Sequence, residues 1–204
     1  MGDNEPVFNP LAKRNLGKSV VDALLESPAQ PLSVVGNFPG AGVYAIYYFG
    51  DFPCYRPLSL LNKRAATYPI YVGKAIPDGS RKGGVDDDSL QSKALCKRLR
   101  EHKSSIEEVA SLNIQHFAYR SLVVDDIWIP LGETLLIQKY KPLWNQVVEG
   151  FGNHAPGKGR GRGRKPLWDE LHPGRKWAES LQPPKLTRSE ILLAAESHLK
   201  DSLA

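Results

Sequence analysis

The chain has 204 residues, of which 41% are hydrophobic and 24% are charged, so it can fold around a substantial core. Its formal net charge of +5 favours a polyanionic partner such as nucleic acid, although many basic proteins bind none. Its two cysteines, Cys54 and Cys96, exclude a disulfide framework and a cysteine-based zinc site, and we expect reduced thiols.

The N-terminal sequence lacks the basic and apolar regions of a signal peptide. No apolar run approaches the roughly 20 residues that cross a bilayer. We therefore expect a soluble, cytoplasmic protein.

Residues 1–35 are predicted to form an N-terminal arm followed by a short helix. Residues 1–15 are polar, whereas apolar residues recur at helical spacing within 18–26. Pro28 should end this helix, because the residue before a proline avoids helical geometry.

Two apolar, tyrosine-containing runs predict strands at residues 43–49 and 69–72. The connection between them, residues 50–68, is too long for a tight hairpin and predicts a small helix or a packed loop. The polar, glycine-rich stretch 78–88 predicts an inserted surface loop.

The next elements are a helix over 89–104 with Ser89 as N-cap, a third strand over 114–124, and a helix introduced by Pro130 that stops before Pro142. At 100° per residue, Arg98 and His102 fall within about 60° of Leu95, on the apolar side of the first of these helices. Arg100 lies about 140° from Leu95 and should meet solvent. The helical phase therefore selects Arg98 over Arg100 as a site residue.

The last part of the chain, residues 151–204, changes character. Residues 157–165 interleave five basic residues with four glycines and contain no acid, which predicts a flexible segment. An amphipathic helix is predicted over 188–203. We expect this extension to contact DNA and to embrace a second subunit.

The motif order resembles the GIY-YIG nuclease superfamily over roughly residues 40–146. Its two tripeptides are matched by Gly-Val-Tyr ending at Tyr44 and by Tyr-Val-Gly beginning at Tyr71, each with valine in place of the central isoleucine. The resemblance implies an α+β fold with a small, mostly antiparallel central sheet flanked by helices. The catalytic core would span residues 36–150, with insertions and with extensions at both termini.

The resemblance also implies hydrolysis of a DNA phosphodiester bond with one Mg²⁺ ion per site. Glu133 would bind the metal, Arg98 would stabilise charge on the phosphate, and Asn145 would support the site. Tyr44 would orient or deprotonate the attacking water; since a free phenol has a pKa near 10, Lys74 or the metal would have to lower it. The candidate catalytic residues are Tyr44, Tyr71, Lys74, Arg98, His102, Glu133 and Asn145.

Inserted loops and basic extensions around the core resemble the small type II restriction endonucleases of this superfamily, most closely those that recognise CCGCGG. That resemblance implies a homodimer with one site per DNA strand and a cognate DNA methyltransferase, since a palindrome calls for two-fold symmetry. Candidate DNA-binding residues are Arg81, Lys82, Lys158, Arg160, Arg162, Arg164 and Lys165.

Other interpretations stay open at this stage. Taken singly, the tyrosines are ordinary strand aromatics, Arg98 and His102 a solvated helix edge, and Glu133 a favourable first-turn acid. The alternative functions are a structure-specific repair endonuclease of the same superfamily and a non-catalytic nucleic-acid-binding protein. Retention of the whole set argues against the second, because simple binding does not need it.

Overall fold

The computed structural model describes residues 9, 11–77, 88–155 and 163–203. These residues form a four-stranded antiparallel sheet flanked by helices, which confirms the predicted α+β class. The strands are β1 (Gln30–Pro31), β2 (Gly42–Tyr48), β3 (Tyr71–Ala75) and β4 (Phe117–Val123). The helices are α1 (Lys13–Glu26), α2 (Arg56–Asn62), α3 (Asp88–Gln91), α4 (Ala94–Glu107), α5 (Ile129–Tyr140), α6 (Leu143–Gln146), α7 (Leu167–Leu171), α8 (Lys176–Glu179) and α9 (Arg188–Ser202).

The sheet order is β1-β4-β2-β3, so β2 is an interior strand with hydrogen-bonded neighbours on both sides. Every residue of β2 is buried. Alternate side chains of a strand point to opposite faces, and Tyr44 and Tyr48 accordingly join one core cluster while Val43 and Tyr47 join another. The first tyrosine motif is thus fixed in the middle of the core.

Helix α1 begins at Lys13, five residues before the predicted start at residue 18. The added turn contains Gly17, where a Cβ would lie 1.7 Å from Leu135 Cδ1 of α5. This close packing between α1 and α5 extends the helix into a segment whose sequence is mostly polar. The prediction was wrong there because tertiary packing overrides local propensity.

The predicted single helix over 89–104 is two helices, α3 and α4, separated at Ser92 and Lys93. The backbone of Gly40, just before β2, bonds on both sides of this break. Its N–H donates to the Ser92 carbonyl, and its carbonyl accepts from Leu95 N at 3.1 Å. Ser89 lies inside α3 rather than at an N-cap.

Strand β4 is shorter than the predicted strand over 114–124. The first three residues of the predicted strand, Ile114–His116, instead form a 3₁₀ turn that precedes β4. At the start of this turn the Asn113 side chain accepts a hydrogen bond from Gln115 N at 2.9 Å. The connection over 50–68 contains a 3₁₀ turn and the short helix α2. Of the two predicted alternatives, a small helix or a packed loop, the helix is therefore the one observed. The predicted loop over 78–88 lies outside the described residues except for Asp88.

The C-terminal helices pack into the same core cluster as Tyr44. Trp168 and Leu171 of α7 and Ile191 of α9 are fully buried in it. The predicted helix over 188–203 is α9, which begins with a capping box formed by Thr187 and Glu190. No helix in the described part of the chain is long and apolar enough to cross a membrane.

Candidate active site

Tyr44 lies at the centre of the candidate site with its side chain fully buried. Its hydroxyl is 2.7 Å from His102 Nε2, a hydrogen bond that joins β2 to α4. Directly opposite on β3 is Gly73, where a Cβ would lie 2.3 Å from the Tyr44 hydroxyl. The glycine of the second tripeptide therefore makes room for the tyrosine of the first.

His102 holds the two motif tyrosines together with Phe151. Its ring lies 5.4 Å from the Tyr44 ring and 5.2 Å from the Tyr71 ring, centroid to centroid. On its other side it stacks on Phe151 at 4.5 Å and 17°. The predicted helix phase places these residues correctly: Arg98 is half-buried, His102 is buried and Arg100 is exposed.

The electrostatics of this pair differ from the expectation for a catalytic base. Burial, followed by the neighbouring Tyr71, holds the pKa of Tyr44 well above its ordinary value. Burial, then the positive charge of Arg98, holds the pKa of His102 well below its ordinary value. The Tyr44 pKa is thus not lowered by Lys74, which is paired with Glu133 instead. At neutral pH the pair is a protonated phenol and a neutral imidazole.

Arg98 extends from α4 towards residues that follow the predicted core. Its Nη1 donates to Glu101 Oε2 at 3.0 Å and also contacts His154 Nε2, while its Nη2 donates to the Gly152 carbonyl at 2.6 Å. These contacts orient the guanidinium group at the edge of a cleft. The cleft is lined by Lys74, Ala75, Ile76, Ala94, Lys97, Arg98, Glu101 and His154.

Glu133 lies in the first half of α5 and pairs with Lys74 of β3, with Oε2 and Nζ 2.7 Å apart. The carboxylate is 20% exposed, so it is open to solvent although its helix packs on the sheet. A carboxylate is a hard oxygen donor of the kind that Mg²⁺ takes, so Glu133 could hold the ion if Lys74 were displaced. In the described ranges no group of three or more His, Cys, Asp or Glu side chains could bind a metal together. Water and phosphate oxygens would have to complete the shell around Glu133.

The side chain of Asn145 holds β3 in place by bonding to the backbone of that strand. Its Oδ1 accepts from Val72 N at 2.8 Å and its Nδ2 donates to Val72 O at 2.9 Å. Val72 lies between Tyr71 and Gly73 in the second tripeptide. Asn145 therefore supports the site without facing the cleft.

We expect Asn145→Ala to lower the free energy of unfolding by about 1–3 kcal/mol, because two partly buried backbone groups lose their partner. Asn145→Asp should be destabilising as well, since its carboxylate still accepts from Val72 N but turns a charged oxygen, which cannot donate, towards Val72 O. Urea unfolding of the three proteins measures both differences. An alanine variant as stable as the wild type would show that the bidentate contact carries no net stability.

The predicted DNA-binding residues are only partly visible. Arg81, Lys82, Lys158, Arg160 and Arg162 lie outside the described residues. Arg164 donates from Nη1 to Pro183 O at 3.3 Å, and Lys165 Nζ pairs with Glu170 Oε2 at 3.2 Å. Their role in DNA binding stays a prediction.

Four residues that contact the site were not predicted from the sequence. One lies on α4 and the other three within residues 150–154. Phe151, Gly152 and His154 touch Arg98 or His102, and Glu101 binds Arg98. Glu101 has a local signal, since it follows Arg98 by one helical turn. The others have none, because they lie more than 45 residues away along the chain from the helix they contact.

An antiparallel sheet with paired tyrosine motifs, next to a helix arginine and a half-buried glutamate, is consistent with a GIY-YIG nuclease domain. A family model described as the Eco29kI GIY-YIG domain matches residues 36–199. The chain therefore belongs to the Eco29kI GIY-YIG domain family, a restriction endonuclease family of the GIY-YIG superfamily. A comparison with curated proteins finds no match.

Proposed function

We propose that this protein is a type II restriction endonuclease that hydrolyses double-stranded DNA with Mg²⁺. The supporting observation is the convergence of Tyr44, Tyr71, Arg98 and His102 on one cluster beside the Lys74–Glu133 pair. A binding protein has no need to bury a tyrosine–histidine pair next to an arginine at the edge of an open cleft. A phosphodiesterase needs a group that handles the water, a cation for the phosphate and a ligand for the metal, and the Tyr44–His102 pair, Arg98 and Glu133 would supply them.

Arg98 is the group that stabilises charge on the scissile phosphate. Its guanidinium lies close enough to Tyr44 and Tyr71 to act against the burial that raises the pKa of each phenol. Its contacts with Gly152 and Glu101 fix its direction before DNA binds. A preorganised cation of this kind stabilises the growing charge without reorganising during the reaction.

Glu133 is the residue that would hold Mg²⁺, and Lys74 would have to leave the carboxylate for the ion to bind. A bound ion would supply Lewis-acid polarisation of the phosphate and a more acidic water. Lys74, which lines the cleft, would place a positive charge next to the phosphate.

Tyr44 and His102 handle the attacking water as a pair. A protonated Tyr44 donates its hydroxyl proton to His102 Nε2 and, once DNA binding admits water to this buried cluster, accepts a hydrogen bond from that water on the same oxygen. When the water attacks phosphorus, its proton passes to the Tyr44 oxygen while the Tyr44 proton moves to His102. Imidazole accepts the proton transiently, because burial and Arg98 disfavour its charged form, and a free phenolate is not required.

This relay predicts the pH dependence of cleavage. Because the pKa of His102 is lowered, His102 is neutral above about pH 6.5, and the single-turnover rate should be nearly flat from there to about pH 9. Tyr44→Phe should lower the rate by roughly 10²–10⁴-fold, and Tyr71→Phe should lower it less without changing the profile. Rapid-quench kinetics across this range measure all three enzymes.

Two outcomes would contradict the relay. A wild-type rate that rises tenfold per pH unit, with the rise lost in Tyr44→Phe, would identify a Tyr44 phenolate as the base. Two folded phenylalanine variants with wild-type rates would show that the rings serve only to fill the core.

We infer further that the enzyme acts as a homodimer on a palindrome, with CCGCGG as the sequence to test first. The family membership supports a restriction enzyme, and two-fold symmetry would place one site at each strand. A cognate DNA methyltransferase and a cytoplasmic location would accompany this function.

Cleavage mapping on a plasmid of known sequence tests the proposal. In Mg²⁺ buffer, sequenced fragment ends should all fall within one palindrome. Cuts found only at branches or damaged bases would assign the protein to structure-specific repair instead. DNA binding with no cutting under any divalent ion would contradict the enzyme assignment.

A further inference from the structure

We propose that Arg175, far along the chain from the motifs, is a positioning residue for the reaction. It holds residues 150–154 (the 150–154 segment) in the place from which they orient Arg98 and His102. The proposal deepens the nuclease function and rests on it. The contacts that carry it lie on the two sides of the 150–154 segment.

Arg175 is anchored by contacts with residues outside the 150–154 segment. Its residue is 2% exposed, and its Nε and Nη2 donate to the two carboxylate oxygens of Asp169 at 2.6 and 2.5 Å. The guanidinium group lies 4.6 Å from the Trp168 ring and 4.8 Å from the Trp177 ring. A bidentate pair enclosed by two indoles leaves the arginine no rotational freedom.

The remaining donors of Arg175 all go to the 150–154 segment. Nη1 donates to Phe151 O at 3.0 Å and to Asn153 O at 3.1 Å, and Nη2 donates to Gly150 O at 3.0 Å. Together with the bonds to Asp169, these contacts use all five guanidinium donors. Three carbonyls of one irregular segment are thus fixed by a single side chain.

The opposite side of the segment contacts the candidate catalytic groups. The Phe151 ring stacks on His102, and the Gly152 carbonyl, which lies between two carbonyls bound by Arg175, accepts from Arg98 Nη2 at 2.6 Å. His154 contacts Arg98 Nη1. A Cβ on Gly152 would lie 2.5 Å from the Tyr71 hydroxyl and 3.0 Å from Arg98 Nη2, so the backbone approaches both closely.

A shift of the segment therefore becomes a shift of Arg98 and His102. Misplacing a reacting group by about 1 Å can cost a factor of about 100 in rate. If Arg175 only stabilised the fold, the direction of Arg98 would not depend on it. A positioning role and a purely stabilising role therefore predict different single-turnover rates for an Arg175 variant that still folds.

The experiment compares Arg175→Lys with the wild type on a duplex containing the cleavage site. Lysine keeps the charge but cannot reach three carbonyls and both carboxylate oxygens. We expect the single-turnover rate in Mg²⁺ to fall roughly 10- to 100-fold. DNA affinity in Ca²⁺ should stay within about twofold, because Arg175 is buried and does not contact the substrate.

A double-mutant cycle with Arg98→Ala separates positioning from general destabilisation. If Arg175 acts through Arg98, Arg175→Lys should cost much less in the Arg98→Ala background than in the wild type. Leu199→Ala, in the same core cluster but on α9, is the matched control for lost stability. It should lower the unfolding midpoint without changing the cleavage rate.

Three results overturn the inference: an unchanged rate in Arg175→Lys, equal losses in both backgrounds, or a rate loss in Leu199→Ala of the same size at the same stability. Should Arg175→Lys fail to fold, the decision rests on Asp169→Asn, which keeps Arg175 but weakens its anchor. The inference requires a slow Asp169→Asn enzyme whose loss is smaller in the Arg98→Ala background, and wild-type kinetics there reject it. A wild-type protein that cuts no DNA refutes the nuclease proposal itself, a separate result.

Discussion

Replacing Glu133 with glutamine is expected to reduce DNA cleavage by roughly 10³-fold or more, because the amide removes the one charged oxygen ligand proposed for Mg²⁺. DNA binding should be similar or tighter, since a negative charge near the phosphate is lost while Lys74 keeps its positive charge. Single-turnover cleavage and binding must be measured at the same salt concentration, because phosphate contacts make affinity strongly salt-dependent.

The matched control is Glu107→Gln. Glu107 also pairs with a lysine, since its Oε1 lies 3.8 Å from Lys103 Nζ, but it is an exposed residue of α4. Its loss should leave the cleavage rate near that of the wild type. A Glu133→Gln enzyme that cuts at the control's rate would eliminate Glu133 as the metal ligand.

The second large effect is expected at Arg98. Arg98→Ala should raise the barrier of the chemical step by about 2.7–4 kcal/mol, the usual loss for one preorganised donor that stabilises charge. Arg100→Ala, two residues along the same helix and exposed, should change mainly DNA affinity and its salt dependence.

Comparing these two variants tests the geometry of α4 directly. Both remove a guanidinium group from one helix, so they share charge and helix propensity effects. Only Arg98 contacts the 150–154 segment and lies against the tyrosines. Equal losses of single-turnover rate would refute the assignment of Arg98.

The strands and helices that carry the candidate site residues follow from local signals in the sequence, whereas the choice of those residues rests on the order of the motifs. Tyr44 and Tyr71 lie in short apolar runs with strand periodicity, and Arg98 and His102 occupy one helix face at a spacing of four. Each signal needs only a few neighbouring residues. For that reason β2, β3, β4, α5 and the burial of His102 agree with the sequence prediction to within a few residues, whereas the two-residue strand β1 was not predicted.

What the sequence could not show depends on contacts between distant segments. The raised pKa of Tyr44 comes from complete burial and then from Tyr71, and its hydroxyl is bonded to His102, which lies 58 residues further along the chain. Arg175 and Asp169 read as ordinary charged residues near a basic segment, yet both are 2% exposed. Hydrophobic periodicity and turn residues cannot predict buried polar pairs such as these, because both patterns describe only the local geometry of the chain.

The break between α3 and α4 has the same origin. Ser92 and Lys93 carry no strong helix-breaking signal, and residues 89–104 read as one helix. The bonds between Gly40 and the two sides of the break come from the segment that leads into β2. The position of α4 is therefore set by the segment that leads into β2.

The most direct test is a parallel digestion by wild-type and Glu133→Gln protein of a linear duplex with a single CCGCGG, in Mg²⁺. The proposed function predicts two discrete fragments with the wild type and intact DNA with the variant. Equal cutting by both proteins would contradict the site described here. An intact CCGCGG duplex, with discrete cutting of plasmid DNA elsewhere, would keep the nuclease and reject the sequence.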